Sequence, residues 1–351
     1  MFTIKLVHRL KPYSHLKKCS CLIPNTEFKV EVAPTLLKFT NLWLQKSFEI
    51  KLGIFGPVTK FTVQQEIEKG KVVVFMHTAK GYVRYCIFRD KSEVVLRVEK
   101  APRAGLHIDF NKVDQSYKTK SELVVANIKS TISTQKSAHL FLGCTKAQDV
   151  ENIKKRGDLK EILPFLFAVC QKIPHFEWDD PIPKEGMYEL LKQLKKEGDE
   201  SSWLNLFNAS FESIFSPRVQ DTDYQGLVKS ESDVTIIPLL YELKLLILNM
   251  FIKGDQNSIE FFPNIPKDFV SGKLKGIELP FGIIDLEWTK GQIRRISIQA
   301  TCNETLTLKF PKKLKVFRLS VKGERETRDV STSSSLRVMK KGKYYLDNFA
   351  K

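Results

Sequence analysis

A chain of 351 residues, 42% hydrophobic and 11% aromatic, is long enough for two or three domains with real cores, which excludes global disorder. Its formal net charge of +17 is unevenly spread: residues 149–233 carry 11 Lys and Arg against 17 Asp and Glu, leaving 46 against 23 in the flanks. Most of that excess is single lysines at alternating strand positions, the pattern of a solvated surface, so charge alone does not assign a nucleic-acid partner. Cys19, Cys21, Cys86, Cys144, Cys170 and Cys302 show no Cys-x-x-Cys or Cys/His ligand spacing. They read as free structural thiols, and no metal site is expected.

The N-terminus lacks an apolar run of signal-peptide length. Residues 2–10 alternate as an opening strand, and 16–25 read as a connector. From Glu27 to Cys144 strand-sized runs dominate: FKVEV from Phe28, FEIKL from Phe48, VVVF from Val72, YVRYCIF from Tyr82, VVLRV from Val94 and HIDF from His107. Lys69-Gly70, Lys80-Gly81, Asp90-Lys91 and Pro102 to Gly105 punctuate them, the spacing of an antiparallel sandwich. From Asp149 to Lys172 the apolar period is helical, with Gly157 and Pro164 expected to divide it. Pro174 to Pro183 reads as a proline-rich loop. Two helices are expected around Gly198, the second capped by Ser201 or Ser202. A buried helix follows over 237–252. Pro238, Glu242 and Lys244 interrupt that apolar segment, so it is a core helix and not a membrane span.

The last third returns to strands. Ile284, Leu286 and Trp288 alternate with Asp285 and Glu287, and Thr289-Lys290-Gly291 forms a hairpin turn. The apolar parity then shifts across Arg294-Arg295, which predicts a β-bulge. Leu306 to Val321 gives one or two more strands. GERETRDVSTSSS reads as a polar turn or loop, and the runs at Leu336 and Tyr344 finish the sheet. The expected fold is α+β: an N-terminal antiparallel β-sandwich over 1–146, a short helical segment over 147–255 and a C-terminal antiparallel β-domain over 256–351. A cytoplasmic location is the default.

Two stretches carry a family resemblance. FFPNIP, GKLKGIELPFG and IDLEWTKGQIRRISI, between Phe261 and Ile298, resemble the β-domain that follows the barrel in α-L-fucosidase-type glycoside hydrolases with an (α/α)6 barrel. YVRYCIFRDKSEVVLRVEKAPRAGLHIDF, from Tyr82 to Phe110, is similar to the N-terminal sandwich of the same family. The resemblance implies an inverting hydrolase, whose acid and base carboxyl groups stand roughly 6.5–9.5 Å apart. It also implies a twelve-helix barrel, on the order of 200 residues at ordinary helix and loop lengths. Only about 105 residues separate the two β-regions, so a complete barrel is not expected. The family's Asp-x-Asn-x-Gly base segment would fall at Glu231 to Ile236. Asp233 takes the aspartate place, but threonine replaces the asparagine. The Ser-Pro-Glu acid segment finds only Phe215-Ser-Pro-Arg218.

Asp233 therefore competes between catalytic base and helix N-cap. His175-Phe-Glu177-Trp178-Asp179-Asp180 is the other concentrated cluster. Glu177 is the second catalytic candidate, and Trp178, Asp179 and Asp180 are sugar-binding candidates, against an exposed acidic loop pinned by its aromatics. No phosphate loop, dinucleotide fingerprint or nucleophile elbow appears, so no cofactor is expected. Three functions compete. The first is a reduced, non-catalytic hydrolase relative that binds a glycan or a protein. The second is an active glycoside hydrolase with a rebuilt carboxylate site using Glu177, Asp179, Asp180 or Asp233. The third is a binder of nucleic acid or an anionic surface through Lys312, Lys313, Lys315, Arg318, Lys340, Lys341 and Lys343.

Overall fold

A computed structural model describes residues 4–10, 19–130, 138–143, 149–174, 186–218, 236–311 and 314–350. The chain divides into two compact units. The first comprises Met1–Thr134, Ala147–Leu159 and Lys172–Tyr241; the second comprises Gln135–Lys146, Lys160–Gln171 and Glu242–Lys351.

The first unit opens with twelve strands: β1 Lys5–Leu10, β2 Cys19–Leu22, β3 Phe28–Val32, β4 Leu36–Asn41, β5 Ser47–Leu52, β6 Thr59–Glu66, β7 Lys71–Thr78, β8 Gly81–Asp90, β9 Glu93–Lys100, β10 Leu106–Phe110, β11 Val113–Tyr117 and β12 Glu122–Asn127. They form two six-stranded antiparallel sheets, β1-β6-β7-β8-β9-β12 and β11-β10-β5-β4-β3-β2. Period-two alternation puts Val72, Val74 and Met76 of β7 and Tyr85 and Ile87 of β8 on the buried face of the first sheet. Val30, Phe39, Ile50 and Ile108 fill the buried face of the second. The connector expected over 16–25 contains β2, whose four residues are all buried. Cys19 and Cys21 pack there as small hydrophobes, which a sequence pattern scores as polar punctuation.

One end of this sandwich is closed by a polar clamp. Glu27, wholly buried, accepts from the Lys129 amide (2.9 Å) and the Ser130 hydroxyl (2.8 Å). Arg89 donates to the carbonyls of Asn25 (2.6 Å) and Ser130 (3.0 Å). Buried charge is tolerated here because its lone pairs and protons are satisfied.

A strand β13 at His139–Phe141 precedes helices α1 Val150–Arg156, α2 Leu159–Cys170, α3 Met187–Glu197, α4 Glu200–Ser210 and α5 Ile237–Phe251, with a two-residue pair β14 Phe211–Glu212 and β15 Ser216–Pro217 after α4. Gly157 ends α1 in the left-handed region, as expected. Pro164 does not divide the next helix; it lies inside α2. A proline in a helix interior costs about 3 kcal/mol, and the burial of Ile162, Leu163, Leu166 and Phe167 around it offsets that cost. The cap of α4 is Asp199, not a serine: its carboxylate accepts from the Ser202 amide at 2.9 Å and the Ser201 hydroxyl at 2.8 Å. Hydrogen bonding from Ser202, by side chain and then amide, and next from the Ser201 hydroxyl holds its pKa below the ordinary value. Among the described residues no helix is long and apolar enough to cross a membrane.

The second unit adds β16 Ile252–Gly254, β17 Ser258–Phe261, β18 Gly272–Leu279, β19 Gly282–Thr289, β20 Gln292–Ala300, β21 Glu304–Lys309, β22 Val316–Val321, β23 Thr327–Ser331, β24 Leu336–Val338 and β25 Lys343–Ala350. A seven-stranded sheet runs β13-β18-β19-β20-β25-β22-β23, and a four-stranded sheet runs β16-β17-β21-β24, with only the β17–β21 pair parallel. The predicted bulge is present: Glu287 pairs with Arg295 and Trp288 with Ile293, so Arg294 is the extra residue. The polar stretch expected as a loop contains β23, which pairs with β22 through residues that are mostly exposed.

Trp288 anchors this unit. Its indole N–H donates to the Phe269 carbonyl at 2.8 Å, and its ring packs 5.2 Å from Phe251 and 5.5 Å from Phe262. Gly272, its partner in register, makes room for it: a Cβ there would run into the indole and stand 2.6 Å from the Phe141 carbonyl oxygen. Gly272→Ala should therefore lower the stability of this unit by about 1–3 kcal/mol in chemical denaturation. An unchanged midpoint would remove Trp288 as its anchor.

Candidate functional site

Glu177, Trp178, Asp179, Asp180 and Asp233 lie outside the described residues, as do Lys312 and Lys313. Arg218, where the resemblance would place the acid, reaches the backbone: its Nε donates to the Ala209 carbonyl at 2.7 Å, near the end of α4.

The remaining C-terminal cations do not gather into one patch. Lys315 is bonded beside Ala350, at the end of β25, whereas Lys340, Lys341 and Lys343 stand at its beginning. An eight-residue strand separates these ends by about 25 Å. Arg318 is already engaged, its Nε donating to Asp347 at 2.8 Å. It belongs to a row that crosses six strands in register, Lys273-Glu287-Arg295-Asp347-Arg318-Asp329, with signs alternating at every step. Cross-strand pairs of opposite charge favour this register and leave the row neutral.

In the first unit, side chains distant in sequence converge at the β1 and β2 edge of the sandwich. The Cys19 sulfur lies 3.6 Å from His8 Nδ1, and His8 Nε2 lies 3.3 Å from Glu151 Oε1 on α1. Arg9 donates to Asp149, the α1 N-cap, at 2.8 Å, and Ser20 donates to Ser216 at 3.1 Å. Cysteine, histidine and carboxylate in this order resemble an activated nucleophile. The electrostatics oppose that role. Cys19 is wholly buried, and burial, reinforced by Cys21 and Glu212, pushes its thiol well above the ordinary value despite Ser213 and Lys154. A protonated, enclosed thiol packs and does not attack. The cluster closes the sandwich edge. Among the described residues no group of three or more His, Cys, Asp or Glu side chains could hold a metal ion.

Among the described residues, one open feature of this unit is the sandwich end opposite the Glu27 clamp. A small cleft there is lined by residues of three connections and the strand ends beside them, among them Phe55, Thr78, Lys80, Pro102 and His107. Gly53 makes the approach possible, because a Cβ on it would stand 2.7 Å from that of His107. The Ala79 amide bonds to the Phe55 carbonyl, joining two of the connections. Phe55 is 53% exposed, and the Lys80 ammonium sits 3.7 Å from its ring centre. Tyr82 is also exposed and packs 5.1 Å from His77. The cleft provides about 10 Å³ for the centre of a water molecule, room for about one water-sized group. It can accept a single polar or anionic atom, not a whole sugar ring.

Comparison with known families gives one match. Residues 254–346 match the family model for the C-terminal domain of glycoside hydrolase family 95, about a quarter of the chain. This segment runs from the end of β16 into β25, and a glycoside-hydrolase-related domain therefore lies in the second unit. No curated protein matches the chain.

Burial raises Cys21 to about 12, Cys86 to about 11 and Cys170 to about 12, and Cys19 in the same direction. All four should stay protonated and unlabelled by a thiol reagent at pH 8 in the native protein, and react only after denaturation. Labelling of native Cys19 at the rate of a free thiol would restore it as a nucleophile.

Proposed function

We propose that the protein is a glycoside-hydrolase-like protein, related to the fucosidase-type enzymes, that binds a saccharide without efficient hydrolysis. The family match over 254–346 carries this reading. It stands beside an interval of about 105 residues, against the 200 or so that twelve helices and their loops need. Among the described residues that interval holds five α-helices. Arginine at position 218, where the resemblance would put the proton donor, also supports the loss of the acid.

A thermal-shift panel of fucose, galactose and short oligosaccharides tests the binding half of this reading. A ligand at 100 times its dissociation constant adds about 2.7 kcal/mol, visible as a rise in melting temperature. A rise with at least one saccharide is expected. No response to any saccharide, together with saturable capture of a protein partner, would replace saccharide binding with a protein-interaction role.

A further inference from the structure

The end of the N-terminal sandwich that carries the small cleft also gathers exposed cations. Lys60 at the start of β6, Lys80 in the β7–β8 turn, Lys100 at the end of β9, Arg103 in the following connection, and Lys118 and Lys120 between β11 and β12 are all exposed there. Backbone bonds fix the connections that carry them: the Lys120 amide donates to the Val98 carbonyl at 2.7 Å, and the Gly105 amide to the Pro102 carbonyl at 2.9 Å. None of the six cations makes an ion pair with a carboxylate among the described residues. The carboxylates of the adjoining strand ends are already engaged. Glu99 accepts from Arg84 at 2.5 Å, Glu122 accepts from Arg97 at 2.6 Å, and Asp114 sits 3.7 Å from His107. The opposite end, in contrast, mixes Glu27, Glu66 and Glu68 with Lys69, Arg89 and Lys91.

We infer that this turn end binds an acidic saccharide, one bearing sulfate or uronate groups. Unpaired cations on backbone-fixed turns, focused at one end of a low-dielectric sandwich, attract a polyanion. Strand and sheet spacings give that end a footprint of roughly 20 Å by 10 Å, enough for a short oligosaccharide. The cleft between Lys80 and His107 would take one oxygen of an anionic group. Nucleic acid fits less well. Single strands are held by bases stacked on open ring faces. Here the Phe55 ring is covered by Lys80, and the Tyr82 ring is packed by His77 and by Phe75 at 6.4 Å. The turns also present no helix or ribbon to a duplex groove. The choice of a saccharide rests on the function proposed above; the anion chemistry rests on the surface itself.

The test is a titration of the full chain with three probes: a sulfated glycosaminoglycan octasaccharide, a neutral oligosaccharide of the same length, and a DNA duplex of similar charge. The sulfated probe should bind best and weaken steeply as salt rises. Lys80→Glu/Arg103→Glu/Lys120→Glu should lose affinity roughly ten- to hundred-fold. The control Lys315→Glu/Lys322→Glu/Lys340→Glu has the same net charge and should lose less than about two-fold. Salt dependence of the unaltered protein needs no variant and is independent of folding. Equal loss in both variants, or salt-insensitive binding, would overturn the site. Tighter binding of the duplex would overturn the saccharide assignment. Neutral probe binding that the first variant leaves intact would overturn this inference while sparing the function proposed above.

Discussion

The second unit depends on one fit: the indole of Trp288 seated where Gly272 has no side chain. That seat lets β18 and β19 pair closely while the indole N–H is satisfied by the Phe269 carbonyl. Phe251 and Phe262 close over the ring, so the connection between β17 and β18 is fixed by the same residue. A buried indole without a hydrogen-bond partner would be costly, which makes the Phe269 carbonyl as necessary as the space. The segment matching the glycoside hydrolase domain is built around this seat.

How charges are placed then separates the two units. On the seven-stranded sheet, register sets cation opposite anion along one row, from Lys273 to Asp329, and that row is electrically closed. At the turn end of the N-terminal sandwich the cations sit on connections or, for Lys60 and Lys100, at strand ends, and none pairs with a carboxylate among the described residues. The overall charge of +17 therefore matters less than which lysines lie on strands and which on turns. Self-pairing takes Arg318 out of the C-terminal set, and the length of β25 splits what remains.

Much of the fold was legible because buried residues alternate along strands. The bulge at Arg294 followed from a shift of apolar parity alone. The strands β4, β6 and β12 were not singled out although β4 and β6 bury Leu37, Phe39, Phe61 and Val63, and other strands escaped because they are polar. β11, VDQSY, and β23, TRDVS, are mostly exposed strands held by a neighbour's backbone, with little apolar alternation to read. β2 hid behind its cysteines, and Pro164 obeyed tertiary burial over local propensity. The Cys19, His8 and Glu151 contact joins residues more than a hundred positions apart, and the turn-end cations become neighbours only once the sandwich closes. Neither leaves a local signal. Asp233, singled out by resemblance, and Glu177, singled out by its acidic cluster, were legible as candidates by chemistry and spacing only.

The central claim is a hydrolase scaffold that no longer hydrolyses efficiently. Its most direct measurement is hydrolysis of aryl α-L-fucosides and aryl galactosides by the purified full chain, followed over long incubation. The account predicts no release above the level of Asp233→Asn and Glu177→Gln variants. Turnover that the parent protein shows and either variant abolishes would contradict it, and would place a working carboxylate pair in this chain.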